Sequence, residues 1–219
     1  MAGHYDHNGS RMNWGTYKFL KVEDGLRIEK LSDPYITAVL EIADNAFGNR
    51  YIEATTLQKK GNETFVAVLN HTVIGFCIIE FLQPKTLDQL CNQPEFKTSA
   101  LSHGDQSGRI GVIKTIAVDQ QHRNVGTGAK LFISAEKYLF SKGATAIVVP
   151  VWAWAEKENL QNIAKINGYR FVFEDAHYWQ VDCDGGKFQC VARTNNTCVC
   201  KCLFYLKTLR KMKRSLLNC

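Results

Sequence analysis

The chain has 219 residues, 45% of them hydrophobic and 22% charged, with a formal net charge of +6. This length and balance support one domain with a buried core and exclude a disordered or fibrous chain. The modest positive charge suits an anionic ligand such as a nucleotide cofactor and is too small to argue for nucleic acid.

Met1-Ala2-Gly3-His4-Tyr5-Asp6 lacks the apolar centre of a secretory signal. The longest apolar candidate, Val73 to Leu82, is broken by Gly75 and Glu80 and falls short of the roughly 20 residues that a spanning helix needs. The expectation is a cytoplasmic protein that engages neither membrane nor nucleic acid. Residues 1–16 read as a flexible lead-in. Tyr17–Val22 and Leu26–Leu31 read as extended pieces around the Glu23-Asp24-Gly25 turn. Asp33 as cap and Pro34 in the first turn then open a helix with apolar Ile36, Val39, Leu40, Ile42 and Ala43, ending near Gly48. Thr64–Leu69, Asn70-His71-Thr72 and Val73–Leu82 form a β-hairpin pattern. The polar stretch Gln83–Gly108 predicts a long loop with a short helix at Thr86–Leu90.

Ile110–Val118 predicts a strand and Gly126–Lys142 a helix, stopped by Gly143. Ala144–Trp152 is almost continuously apolar, as in a strand buried on both faces. Ala155–Asn167 predicts a helix ended by Gly168, with strands at Tyr169–Glu174 and Tyr178–Cys183. The order is mixed α/β, with a boundary near residue 183 where cysteines become dense. That divides the chain into 1–16, a domain at 17–182, and a cysteine-rich strand extension with a basic tail at 183–219.

The segment from Ile113 to Leu131 carries the chemistry. A predicted strand runs through Asp119 to Val125 directly into a helix, with Gly126 and Gly128 at the junction. Glycines leave backbone N–H groups uncovered. The first helical turn adds free donors and the positive end of the helix dipole. Together they make a phosphate-binding concavity, with Arg123 and Lys130 nearby. The spacing is neither a Walker loop nor a Rossmann loop, since position 131 is Leu131.

Arg123-Asn124-Val125-Gly126-Thr127-Gly128 resembles motif A of the GNAT N-acetyltransferase superfamily, R/Q-x-x-G-x-G/A. Ile116-Ala117-Val118 and the polar Asp119–His122 match the strand and approach that precede it. The resemblance runs in element order from about Leu26 to Tyr178. It implies a twisted mixed sheet with helices on both faces, acetyl-CoA as co-substrate, and direct acetyl transfer to a primary amine of a small molecule or a protein. It implies that the main-chain N–H groups of Asn124, Val125, Gly126, Thr127, Gly128 and Ala129, beside Arg123, hold the pyrophosphate. It also implies that Ile116 and Val118 pair with the pantetheine, the N–H near Ile116 polarising the thioester carbonyl.

Two family features are missing. The position of a frequent leaving-group tyrosine is Ala164, and the strand positions that often carry a base are Val112 and Lys114. Glu80 is the candidate base, beside its reading as an ordinary strand carboxylate. Tyr169 is the candidate acid, beside its reading as a core aromatic, as is Tyr178. Trp152 and Trp154 can share a face as an acceptor wall or pack as core. A CoA-binding module without turnover is the alternative. Cys198, Cys200 and Cys202 would share one face of a strand. With Cys183 and Cys190 they either hold a structural zinc or are buried or reactive thiols, and no metal ligand is assigned.

Overall fold

The computed structural model describes residues 24–102, 109–154, 159–193 and 197–208. The predicted lead-in, Tyr17–Val22, residues 103–108 and 155–158, the Asn195-Asn196 turn and the basic run past Thr208 lie outside the described residues.

Strand β1 (Arg27–Lys30) leads to a 3-10 turn (Asp33–Tyr35) and helix α1 (Ile36–Phe47). Asp33 lies inside that turn rather than capping it; Ser32 precedes it with extended backbone. Gly48 ends α1 at φ 108°. A short α2 (Ala54–Leu57) precedes β2 (Asn62–Leu69) and β3 (Thr72–Leu82). Asn70 and His71, both at positive φ (48° and 65°), join them, the geometry whose twist matches that of the paired strands.

The next stretch departs from the predicted loop. A 3-10 segment (Pro84–Gln89) and α3 (Pro94–Ser102) fill most of it. Four apolar anchors hidden in polar sequence explain this: Leu87, Leu90, Cys91 and Phe96 are all buried. β4 (Arg109–Val118), a 3-10 turn (Gln120–His122), α4 (Thr127–Ser141), β5 (Ala144–Ala153), α5 (Asn159–Ile166) and β6 (Arg170–Asp175) follow. The predicted strand at Tyr178–Cys183 is instead a turn and helix α6 (Gln180–Asp184). The Asp175 carboxylate accepts the His177 N–H at 2.9 Å and Cys183 N–H reaches Trp179 O at 2.9 Å, which closes the backbone on itself.

β7 (Lys201–Thr208) completes a seven-stranded sheet in the order β1-β2-β3-β4-β5-β7-β6. Only β4 and β5 are parallel neighbours. β7, drawn from the cysteine-rich end, lies inside the sheet between β5 and β6. The expected common face of Cys198, Cys200 and Cys202 is split: β7 begins only at Lys201, and Cys202 joins the core beside Cys91.

Alternation along the strands sorts side chains to two faces. On one face Cys77, Ile79, Ile113, Ile147 and Val149 pack under Leu131, Phe132, Ala135 and Leu139 of α4. On the other, Val66, Val68, Phe76 and Ile78 pack against α1, and Val112, Val148 and Phe204 against Phe96 of α3. Helices thus cover both faces. The α4 interface also holds a charge. Glu136 is fully buried and accepts Lys207 Nζ of β7 at 2.9 Å. Removing one partner of such a pair leaves the other desolvated and alone. Lys207→Met should therefore cost about 3–5 kcal/mol in chemical denaturation. Adding Glu136→Leu should recover most of that loss; no recovery in the double variant would contradict a buried pair.

Candidate active site

The parallel pair β4–β5 is joined along only part of its length. Arg109, Ile110, Gly111 and Val112 pair with Ala144, Ala146, Ile147 and Val148. Beyond Val112, β4 continues to Val118 beside β3, and beyond Val148, β5 continues to Ala153 beside β7. The two strands diverge there, and a wedge opens in the sheet. Side chains of β4 pass from buried at Ile110–Ile113 to half-buried at Lys114, Thr115 and Ile116. The register with β3 shifts at the same place: Ile79 faces Ile113 and Ile78 faces Thr115. Lys114 is therefore the extra residue of a bulge, a device that bends its strand and increases its twist. Pro150 lies two residues beyond the last β4–β5 pair. Proline is tolerated where a ladder partner is absent, so the chemistry of both strands agrees with the split.

The wedge opens toward the loop between β4 and α4. Asp119 N–H donates to Ile74 O at 2.8 Å, and the Asp119 carboxylate accepts the Gln121 N–H at 3.0 Å. Arg123 Nε donates to Val118 O at 2.9 Å, which ties the exposed guanidinium to the end of β4. Asn124 (φ 64°) and Gly126 (φ 91°) take the left-handed conformation. Gly126 is the helix N-cap and offers no side chain to the first turn. Lys130 N–H bonds to Gly126 O at 3.0 Å. Among the described turn and cap bonds, none is donated by the amides of Asn124, Val125, Gly126, Thr127, Gly128 or Ala129.

Two further observations fit an anion here. Thr127 is 1% exposed, and its hydroxyl has no partner among the described residues. A Cβ on Gly128 would stand 3.7 Å from Val118 Cγ2 and 3.8 Å from Ile163 Cδ1, ordinary contacts. Packing therefore does not demand glycine at 128, and its bare backbone leaves the helix mouth open to an anion. Lys130, expected to add charge at the loop, donates Nζ to Leu26 O at 2.6 Å instead. Ile116 and Val118, opposite Cys77 and Gly75 of β3, lie on the unpaired half of β4, so the edge of this half turned from β3 borders the wedge.

At the apex of the wedge, on the α1–α3 face, Glu80 stands opposite Val112. Its carboxylate accepts Lys114 Nζ at 3.1 Å, and both side chains are half-buried. Tyr51 lies beside the Thr115 side chain, and burial pushes its phenol well above the ordinary range. Tyr178 is likewise pushed up by burial, with Tyr51 and Glu80 within electrostatic reach. Tyr169 is on the other face. It is 4% exposed, edge-on to Phe132 at 5.3 Å, with the Lys207 ammonium 5.5 Å from its ring centre. The structure thus brings Glu80 to the wedge and sets Tyr169 in the α4 core. Ala164 is fully buried in that same core.

Sequence reasoning missed Tyr51 as a site residue. It follows Gly48 in an irregular stretch, and only the fold carries it to Thr115. Beside it, Phe47, Tyr51, Trp152, Trp179 and Phe188 line a small aromatic recess of about 10 Å³. Trp152 stacks on Trp154 at 6.0 Å, and Trp152 also meets Phe47 at 5.7 Å.

A family model described as the acetyltransferase (GNAT) family matches residues 31–169. No curated protein sequence matches the chain. Among solved structures, NAA60 from Arabidopsis thaliana in complex with a bisubstrate analogue is similar with a TM-score of 0.60 at 14% identity, over 84% of this chain and 97% of that one. The same protein in complex with acetyl-CoA gives 0.59 at 14%, over 84% and 98%. The ribosomal-protein-S18-alanine N-acetyltransferase from Escherichia coli gives 0.59 at 12%, over 87% and 98%. At these identities the likeness is one of fold. No helix among the described residues is long and apolar enough to cross a membrane.

The loop geometry makes a direct prediction. Gly126→Asp places a β-carbon on a left-handed residue, at a cost of about 1–2 kcal/mol, and a negative charge at the helix mouth. Calorimetry should find CoA affinity lowered at least about tenfold by charge repulsion, with the far-UV spectrum retained. Unaltered affinity would remove the loop from the site.

Proposed function

Because the chain belongs to the acetyltransferase (GNAT) family, we propose that it is an enzyme that transfers the acetyl group of acetyl-CoA to a primary amine by direct attack. The observation that carries this is the wedge between β4 and β5 with unpaired amides at its mouth. Two of the similar structures are described with acetyl-CoA bound, which supports the choice of co-substrate. The acceptor is a small-molecule or protein amine.

Acetyl-CoA supplies an activated acyl carbon; everything else falls to the chain. The amides of Asn124–Ala129 and the Thr127 hydroxyl bind the diphosphate, with Arg123 at the rim. The edge of β4 at Ile116 and Val118 receives the pantetheine as an added strand would. The N–H near Ile116 is the donor for the thioester oxygen, fixed in place before reaction.

The attacking amine must lose its proton. Glu80 is the base in this reading, and Lys114 holds its carboxylate at the apex. Tyr51 takes the acid role expected of Tyr169: its buried phenol keeps its proton and stands against Thr115 of the unpaired half of β4. The acceptor approaches the apex of the wedge beside Glu80 and Tyr51. Direct transfer needs no covalent enzyme intermediate, so no nucleophilic side chain is required.

Release of free CoA from acetyl-CoA with a panel of amines and N-terminal peptides tests the reading. Turnover is expected. CoA binding without release on any acceptor would leave a binding module. Glu80→Gln should lower kcat by about 10²–10⁴ with CoA affinity unchanged. Lys114→Met, which frees the carboxylate but keeps it, should do far less. Tyr51→Phe should lower kcat and leave CoA affinity intact. Equal losses in Glu80→Gln and Lys114→Met would assign the pair to structure rather than proton transfer.

A further inference from the structure

Two cysteines touch where the segment between α6 and β7 returns to the sheet. Cys190 Sγ is 3.8 Å from Cys200 Sγ, and either sulfur can donate its proton to the other. Their surroundings differ. Cys190 is half-buried and lies in irregular backbone, whereas Cys200 is 1% exposed and directly precedes β7. Ala192 N–H donates to Cys190 Sγ at 3.4 Å, so this sulfur is held by main chain on one side and by Cys200 on the other. Among the described residues no three His, Cys, Asp or Glu side chains group so as to hold a metal ion. The contact that these two cysteines make is sulfur to sulfur.

The two sides of the contact belong to different parts of the fold. On the Cys190 side, Gln189 N–H bonds to Asn49 O at 3.0 Å and Val191 N–H to Phe47 O at 3.3 Å, at the end of α1. Asn49 Nδ2 also donates to Gln189 Oε1 at 3.3 Å. On the Cys200 side, β7 is laddered to β5 from the Lys201–Ala153 pair onward. A bond between the sulfurs therefore ties the end of α1 to the sheet.

Little else does so. Between α6 and β7 the described residues form neither helix nor multi-residue strand, and only Phe188, Ala192 and Cys200 are buried. So few apolar anchors place a segment at the low end of local stability. To bond, the sulfurs must close by about 1.8 Å. The irregular backbone around Cys190 can yield that distance without breaking a ladder.

We propose that Cys190 and Cys200 are a reversible oxidation site, at which a small-molecule disulfide of the glutathione class converts their contact into a disulfide that fastens the segment to the sheet. The inference does not depend on acetyl transfer. Cys190, the accessible sulfur, attacks one sulfur of the small disulfide, and one small thiolate leaves. Cys200 then attacks Cys190 Sγ in the mixed disulfide, and the second small thiolate leaves. Two protein S–H bonds are lost and one S–S bond forms. The two protons pass to the departing thiolates, and the small disulfide is the two-electron oxidant. Burial pushes the Cys200 thiol up, which suits it to the second step rather than the first.

The test uses the full-length reduced protein, incubated with oxidised glutathione, alkylated and digested with trypsin. Trypsin cuts after Lys187, Arg193 and Lys201, so the disulfide should join peptide 188–193 to peptide 194–201. Cys198 shares the second peptide, and fragment spectra assign the bond between it and Cys200. Cys198→Ser should keep the cross-link. Cys200→Ser should lose it and retain glutathione on Cys190. The oxidised protein should melt about 5–10 °C above the reduced one, and excess dithiothreitol should reverse both the bond and the shift. If the variants do not fold, the fragment spectra of the unaltered protein decide alone. No cross-link, a bond from Cys190 to Cys198 or Cys183 instead, a bond that dithiothreitol leaves intact, or an unmoved melting temperature would overturn the proposal.

Discussion

The organising constraint is that β4 and β5 share a ladder only as far as Val112 and Val148. Each strand stays fixed after the split by its outer neighbour, β3 for one and β7 for the other. The wedge is therefore rigid on both sides although its inner edges are unpaired. Unpaired backbone is costly unless something satisfies it, and an extended, amide-bearing ligand can do so. The bulge at Lys114 is what makes the separation possible. It displaces one residue of β4 and turns the strand from the path that its partner follows.

The same constraint divides labour between the two faces. The loop from Asp119 to Gly126 and the mouth of α4 lie at the open end of the wedge. A Cβ on Gly128 there would stand in ordinary contact with Val118 and Ile163. On the opposite face, Glu80, Lys114, Thr115 and Tyr51 gather around the apex. In the proposed function, diphosphate recognition and proton handling are thus built from different elements, which meet through the β4 backbone. The inner position of β7 gives the arrangement its stiffness. β7 holds β5 along its length and reaches α4 through the buried Lys207–Glu136 pair.

Features that rest on neighbouring residues were legible in the sequence. The loop Arg123–Gly128 is one: strand, glycine pair and helix start follow one another, and their joint meaning is local. The hairpin of β2 and β3 is another, because alternation and the Asn70-His71 turn lie within 21 residues of chain. What depended on distant contacts was not legible. The bulge at Lys114 exists only in the register with Ile78 and Ile79. Tyr51 reaches Thr115 only because α1 crosses the sheet. Tyr178, Gln180 and Asp182 alternate as a strand would, but the Asp175 turn closes the backbone into α6. Pro150 was an available signal: a proline inside an apolar run argues against pairing on both sides, and the wedge lies beside it.

Tyr169 illustrates a different limit. Proximity in sequence to the position of an absent tyrosine does not convey proximity in space. Ala164 and Tyr169 both fall in the core under α4, where a phenol packs on Phe132. In the proposed function, a side chain there is shut off from the thioester between β4 and β5. The α1–α3 face, by contrast, keeps half-buried polar groups beside an aromatic recess. Part of that recess is Phe188, from the cysteine-bearing segment. The segment lies so close to α1 that a Cβ on Gly48 would come within 1.6 Å of Gln189 O. Gly48 therefore does two things, ending α1 and admitting the segment that completes the recess. Whatever holds Phe188 and Gln189 in place consequently also sets the shape of that recess.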